Sequence, residues 1–217
     1  MSLRIAFDLD GVLADLATEL DRRRDEILGD AGTRSQGPGQ SLERRLWRHV
    51  ETTENFWERL NELEDGAVSR VAAVAAESRW EVIFLTTRPT TAGATVQVQS
   101  QRWLNSKGFP LPSVYVVQGS RGKVAAALEL DVVVDDRLDH CLDVVADSKA
   151  RPVLFLNNES RNSGLRASAE RLGIQTVETM VQCLELLAEI DAAASEDPGI
   201  VKRVMRKLGI DPETRGV

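Results

Sequence analysis

Cysteine, histidine and tyrosine are almost missing from this sequence of 217 residues, which holds two, two and one of them. So few thiols exclude a disulfide framework. Cys141 and Cys183 each sit in an apolar helical pattern, as buried free thiols of a reducing compartment do. The same scarcity argues against a zinc site built from cysteine and histidine. Long apolar runs are missing too, and the start MSLRIAFDLD lacks the hydrophobic stretch of a signal peptide. The expectation is a cytoplasmic protein with no membrane partner. Positive charge is in deficit, with 27 Lys and Arg against 34 Asp and Glu and a formal net charge of -7. That argues against general nucleic-acid binding through a basic surface. It leaves room for a small anionic ligand, because a local cation reverses the field inside a cleft.

What is present is enough apolar matter for a core, 42% of residues, arranged in short bursts. The runs at 3–7, 82–85, 132–134 and 153–156 are rich in β-branched residues and barely alternate, with a weaker run at 114–117 and another at 174–177. Runs of this kind suit strands buried on both faces of a parallel sheet. Helical patterns at 95–107, 123–129, 139–147 and 165–172 fall between them. The alternation predicts a three-layer, Rossmann-like α/β core with right-handed crossovers.

One interval breaks the rhythm. More than sixty residues separate the first two strands. Within them lie a helical stretch at 15–28, a glycine- and proline-rich loop at 29–40, a helix at 42–50 that Ser41 would cap, and an apolar segment at 56–63. The crossover back to the sheet follows, with Ala67, Val68, Val71, Ala72 and Ala75 on one helical face. The expected organisation is therefore a core of residues 1–15 and 65–178, a small helical cap at 16–64 inserted after the first strand, and a helical tail at 179–217. That tail ends in the basic segment IVKRVMRKLGI, which reads as a surface helix.

In an open parallel sheet, functional groups gather at the carboxyl ends of the strands. Here that rule collects Asp8 and Asp10, then Thr86, Thr87 and Arg88, then Lys123, then Asp135 and Asp136. Several carboxylates at one rim need a cation between them, and an all-oxygen donor set favours Mg²⁺. Such a group supports phosphoryl transfer: one aspartate attacks phosphorus and its neighbour moves the proton. Gly11 lets the chain turn sharply beside them. The stretch GSRGK before the helix lacks the GxxxxGK[ST] spacing of a nucleotide-binding loop.

FDLDGVLAD, VIFLTTRP, Lys123 and VVVDDR, in this order, resemble the four motifs of the haloacid dehalogenase-like (HAD) superfamily. The resemblance implies Asp8 as nucleophile and Asp10 as general acid/base. It implies Thr86 and Lys123 on the phosphate; Thr87 and Arg88, beside Thr86 at the same strand end, are expected as further phosphate contacts on position alone. Mg²⁺ would be held by Asp8, by the backbone carbonyl of Asp10 and by Asp136, with Asp135 in support or bound through water. More narrowly, DLDGVLADL, NFWERLNELEDGAV, GKVAAALELDVVVDDR and PVLFLNN resemble the 5'(3')-deoxyribonucleotidase family. That likeness implies a small phosphate ester as substrate, a nucleoside monophosphate above others, with Phe56 and Trp57 forming a base pocket in the cap. The chain departs from that family at Thr87-Arg88-Pro89 and at Asp65. A sugar phosphate, a polynucleotide 3'-phosphate or a phosphomutase reaction stays open beside it. So does a homodimer, and a non-catalytic phosphate-sensing module is the rival from another class.

Overall fold

Every apolar run marked above is a strand. The computed structural model describes residues 2–31, 42–158, 160–161, 164–195 and 199–210. Its strands are β1 (Arg4–Asp8), β2 (Glu81–Thr86), β3 (Ser113–Val116), β4 (Val132–Asp135), β5 (Arg151–Phe155) and β6 (Gln175–Val177). They form one parallel sheet in the order β3-β2-β1-β4-β5-β6. Phe7 lies level with Phe84 on one side and Val134 on the other. The described helices are α1 (Leu16–Ala31), α2 (Leu42–Thr52), α3 (Ala67–Ser78), α4 (Val96–Ser106), α5 (Arg121–Ala127), α6 (Leu138–Asp147), α7 (Leu165–Arg171), α8 (Met180–Ser195) and α9 (Gly199–Lys207). None of them is long and apolar enough to cross a membrane.

Strand pleating sorts the core into layers. Ile5, Phe7, Phe84, Val132 and Val134 face one side and join residues of α3, α4 and α8. Ala6, Ile83, Leu85 and Val133 face the other and meet Ala125 and Val144 of α5 and α6. Each Val, Leu, Ile or Phe side chain among them that is taken from water stabilises the fold by roughly 1.5–3 kcal/mol. Gly122 lets α5 approach α6, since a Cβ there would stand 2.0 Å from the Asp143 carbonyl oxygen.

The long interval after β1 is the part that sequence patterning draws least well. α1 runs on through Gly29 to Ala31, and Ser41 and residues 32–40 lie outside the described residues. The 56–63 segment is only a 3₁₀ turn, Phe56–Glu58. Its apolar residues Phe56, Trp57 and Leu60 are fully buried in the main core beside Phe84 and Trp103. The two ends of the interval run side by side, Leu63 N donating to the Leu13 carbonyl and Asp15 N to that of Asn61. A loop after β2 is tied to the same interval: Asn55 N donates to the Ala92 carbonyl, Ala92 N to that of Glu51, and Asn55 Oδ1 accepts from Ala94 N.

Candidate active site

The strand order reverses direction between β1 and β4, and ligands of open α/β sheets bind at such a switch point. Asp8 ends β1, and Asp10 follows in a turn closed by Leu13 N and Ala14 N on the Leu9 carbonyl. Gly11 sits there at φ 86, and a Cβ on it would come within 2.0 Å of Asp136 Oδ2. Only glycine lets the turn pass beneath that carboxylate. Asp135 ends β4 and Asp136 follows it. Four carboxylates thus share one rim, and their pKa values register the crowding. Burial, then Asp135, raises the Asp8 carboxyl well above the usual range, Arg121 opposes this, and Asp10 and Asp136 add to it. Asp136 is pushed up to about 7 by burial, with Asp135 and Asp10 adding to the rise.

Two arginines meet these acids from opposite sides. Arg121, the first residue of α5, is wholly buried; its Nη2 donates to Asp8 Oδ1 at 2.5 Å and its Nε lies 3.4 Å from Asp135 Oδ2. Its Nη1 is buried with no hydrogen-bond partner among the described residues, and its Nε contact lacks hydrogen-bond geometry. Asp135 is held in turn by His140 Nδ1 at 2.9 Å and by the Arg137 backbone N–H at 3.0 Å. Arg88 follows β2 and has a side chain closed off from solvent. Its Nε donates to Asp10 Oδ2 at 2.9 Å, its Nη2 to Asp10 Oδ1 at 2.7 Å and its Nη1 to Ser100 Oγ at 3.0 Å.

Lys123 is not the rim cation that the sequence suggests: its position is exposed, one turn into α5. The helix begins two residues earlier, capped by Ser120 Oγ on Lys123 N, and the first-turn residue Arg121 reaches the acids instead. Two residues along a helix rotate a side chain by about 200°, so both cannot face the same rim. Arg88 is likewise bound to a carboxylate rather than directed to open space. Phe56 and Trp57 offer no face to a ligand, since both are fully buried. Their rings meet edge to face, Trp57 Nε1 donates to the Pro89 carbonyl, and the Arg88 guanidinium lies 4.8 Å from the Trp57 ring centre. Thr86 is buried with its Oγ1 accepting from Arg88 N at 3.3 Å, and Thr87 beside it is exposed. Arg121, His140 and Asn157 were not legible as site residues. Asn157 follows β5, and its Nδ2 donates to Asp136 Oδ2 at 3.2 Å. Position just past a strand end was the available signal for Asn157.

The carboxylates differ in how far other side chains already occupy them. Among the described residues no three His, Cys, Asp or Glu side chains form a ready cage. The Asp10 carboxylate is occupied by Arg88 and Asp135 by Arg121 and His140. What is left is the second oxygen of Asp8, whose Oδ1 takes Arg121, and Asp136, whose Oδ2 takes Asn157, together with backbone oxygen and water. Both carboxyls are raised by burial first and by neighbouring acids second. Two carboxylates with several waters are a usual Mg²⁺ environment.

No family model matches the chain, and no curated protein matches it. Solved structures do. A HAD family hydrolase from Deinococcus radiodurans R1, with bound phosphate and sodium, is 16% identical at a TM-score of 0.59 over 87% of this chain and 96% of that one. A hydrolase from Pseudomonas syringae is 18% identical at a TM-score of 0.56, over 87% and 99%. A Thermotoga maritima protein provisionally assigned as a β-phosphoglucomutase is 16% identical at 0.56, over 87% and 99%. The chain therefore shares the three-layer α/β fold of these structures.

Proposed function

We propose that the protein is an Mg²⁺-dependent phosphomonoesterase that works through an aspartyl phosphate on Asp8. The observation that carries this reading is Arg121: a buried guanidinium with a nitrogen that has no hydrogen-bond partner among the described residues, beside a strand-end carboxylate that burial, and then its acidic neighbours, keep from ionising freely. A phosphoryl group supplies oxygens to the guanidinium, and a divalent cation relieves the acids. Asp8 and Asp136, with the Asp10 carbonyl, would hold Mg²⁺, which supplies charge neutralisation at the phosphoryl oxygens.

Asp8 attacks phosphorus, and the bond from phosphorus to the leaving oxygen breaks. The electron pair departs with that oxygen, which takes a proton from Asp10. Arg121 and the Thr86 hydroxyl donate to the phosphoryl oxygens as charge redistributes. Asp10 then takes a proton from water, which attacks phosphorus and frees Asp8 and inorganic phosphate. His140 and the Arg137 amide hold Asp135, and Asp135 with Asp8 holds Arg121 in place. The helices after β1 serve as the cap over the leaving group, with α1 and α2 its outer part.

A nucleoside monophosphate is the leaving-group class that the sequence resemblance favours, and a sugar phosphate is its rival. A phosphate-release screen over nucleotides, sugar phosphates and an aryl phosphate, with and without Mg²⁺, tests both the reaction and the class. Asp8→Asn abolishes turnover while the protein still unfolds cooperatively. Wild-type rates in that variant overturn the mechanism, and isomer formation without phosphate release would make the protein a mutase.

A further inference from the structure

Arg88 stands where the sequence suggests a phosphate ligand, and its surroundings give it a different task. Every nitrogen of its guanidinium is already engaged: Nε and Nη2 grip both oxygens of Asp10, and Nη1 donates to Ser100 of α4. The cationic plane lies 4.8 Å from the Trp57 ring centre and 5.9 Å from that of Trp103. Trp57 is itself fixed, its indole nitrogen on the Pro89 carbonyl and its backbone nitrogen on Gln99 Oε1. The Arg88 side chain has no exposed surface, whereas the Asp10 side chain keeps 19% of its own. The carboxylate is thus accessible and the guanidinium behind it is not.

We infer that Arg88 is a positioning residue: it fixes the Asp10 carboxyl for proton transfer and does not bind the substrate phosphate. The inference rests on the phosphomonoesterase reading and extends it. A bidentate guanidinium fixes both the direction and the plane of a carboxylate. Ser100 and Trp103 connect that plane to α4, and Trp57 connects it to the segment inserted after β1. The orientation of the proton-transfer group is therefore set by packing well behind the rim, on the side where the cap begins.

Positioning and phosphate binding leave different kinetic marks. The parameter kcat/KM reports the steps through leaving-group departure, where Asp10 gives up its proton. With Asp10 misaligned, an alkyl phosphate needs that proton and an aryl phosphate with an acidic leaving group needs it far less. The experiment measures kcat/KM for an alkyl and an activated aryl phosphate, together with inhibition by inorganic phosphate, in wild type, Arg88→Lys and Arg88→Gln. The expected result is a loss on the alkyl ester of roughly 100-fold or more in Arg88→Gln, in the range that general acids supply. The aryl ester loses several-fold less, phosphate inhibition stays within about twofold, and Arg88→Lys recovers part of the loss by keeping the charge near Asp10. Equal losses on both esters with weakened phosphate inhibition overturn the inference and make Arg88 a phosphate ligand. If wild type releases phosphate from neither ester, the phosphomonoesterase reading itself has failed. Thermal midpoints and far-UV spectra of the variants separate misfolding from misalignment, and Trp57→Phe supplies a second route. It keeps a ring under Arg88, loses the Pro89 bond, and is expected to show the same leaving-group dependence at smaller size. Equal losses on both esters in well-folded Trp57→Phe count against the inference.

Discussion

Arg88 and Arg121 are both buried, and each pairs with an aspartate at the end of the first strand, yet they leave different amounts of capacity for a ligand. Arg88 has both oxygens of Asp10, a serine hydroxyl and two indole rings around it. Arg121 has Asp8 and a longer contact with Asp135, and its Nη1 has no partner among the described residues. A buried donor without a partner costs about 1–3 kcal/mol, which the fold tolerates where a ligand will meet it. On the proposed reading, the satisfied arginine shapes the site and the under-satisfied one receives the phosphate.

The largest effect expected from this contrast belongs to Arg121→Ala. On the proposed reading it removes a donor to the phosphoryl group, for which losses of about 10²–10³ in kcat are usual. It also leaves Asp8 and Asp135 buried without their cation, a change that costs roughly 3–5 kcal/mol when one partner of a buried pair goes. Steady-state kinetics and denaturant unfolding measure the two separately. If Arg121→Ala cost less activity than Arg88→Gln on an aryl phosphate, the assignment of the two roles would be reversed.

Trp57→Ala comes next, and it sharpens the comparison from the Arg88 side. The ring is fully buried between the inserted segment and α4. Its removal is expected to cost roughly 3–5 kcal/mol of stability, read by chemical denaturation. A base-binding residue at a ligand surface would instead lose affinity with little loss of stability. Expulsion of a nucleotide from the variant with an unchanged unfolding midpoint would restore the pocket role for this tryptophan.

What was legible in the sequence follows the same division. Strands β1, β2 and β4 were readable because burial on both faces demands unbroken apolar runs, and their ends named Asp8, Asp10, Asp135 and Asp136 directly. Arg121 was missed because a helix start is defined by its cap, here Ser120, and a two-residue error in the start turns the wrong side chain toward the rim. Phe56 and Trp57 were placed on the wrong kind of surface, since an aromatic pair reads alike in a core and in a pocket. Composition cannot separate the two; only the partners can, here Phe84, Trp103 and the Pro89 carbonyl. His140 has no motif to announce it, and Asn157 lies in PVLFLNN at a strand end without its type naming a role; both are placed by their bonds to Asp135 and Asp136.

Protonation offers a gentler test of the under-compensated side. Asp136 has its carboxyl raised to about 7 in the folded state, against an unfolded value near about 3.9. A carboxyl raised by folding binds more protons in the native state, so its contribution falls as pH rises from about 4 toward 7. Asp8 shifts in the same direction. Without added metal, Asp136 therefore destabilises the fold increasingly up to neutral pH, and Asp8 acts with the same sign. Mg²⁺ relieves the repulsion only where the acids are ionised. The expected outcome is a rise in thermal midpoint with Mg²⁺ that is larger at pH 8 than at pH 5. An equal rise at both would place the ion elsewhere.

The smallest effect belongs to Lys123→Ala, and it discriminates well because the sequence motif predicts a large one. The residue is exposed, and its backbone N–H, which the substitution keeps, is what bonds Ser120 Oγ. Alanine is a better helix former than lysine by only a few tenths of a kcal/mol, and surface changes away from special features stay within about 0.5 kcal/mol. Activity is expected within about twofold of wild type and the unfolding midpoint nearly unmoved. A loss of a hundredfold, with Arg121→Ala milder, would return the phosphate to Lys123. It would require α5 to turn by half a revolution in the working enzyme, against the close contact of Gly122 with the Asp143 carbonyl that holds its present face.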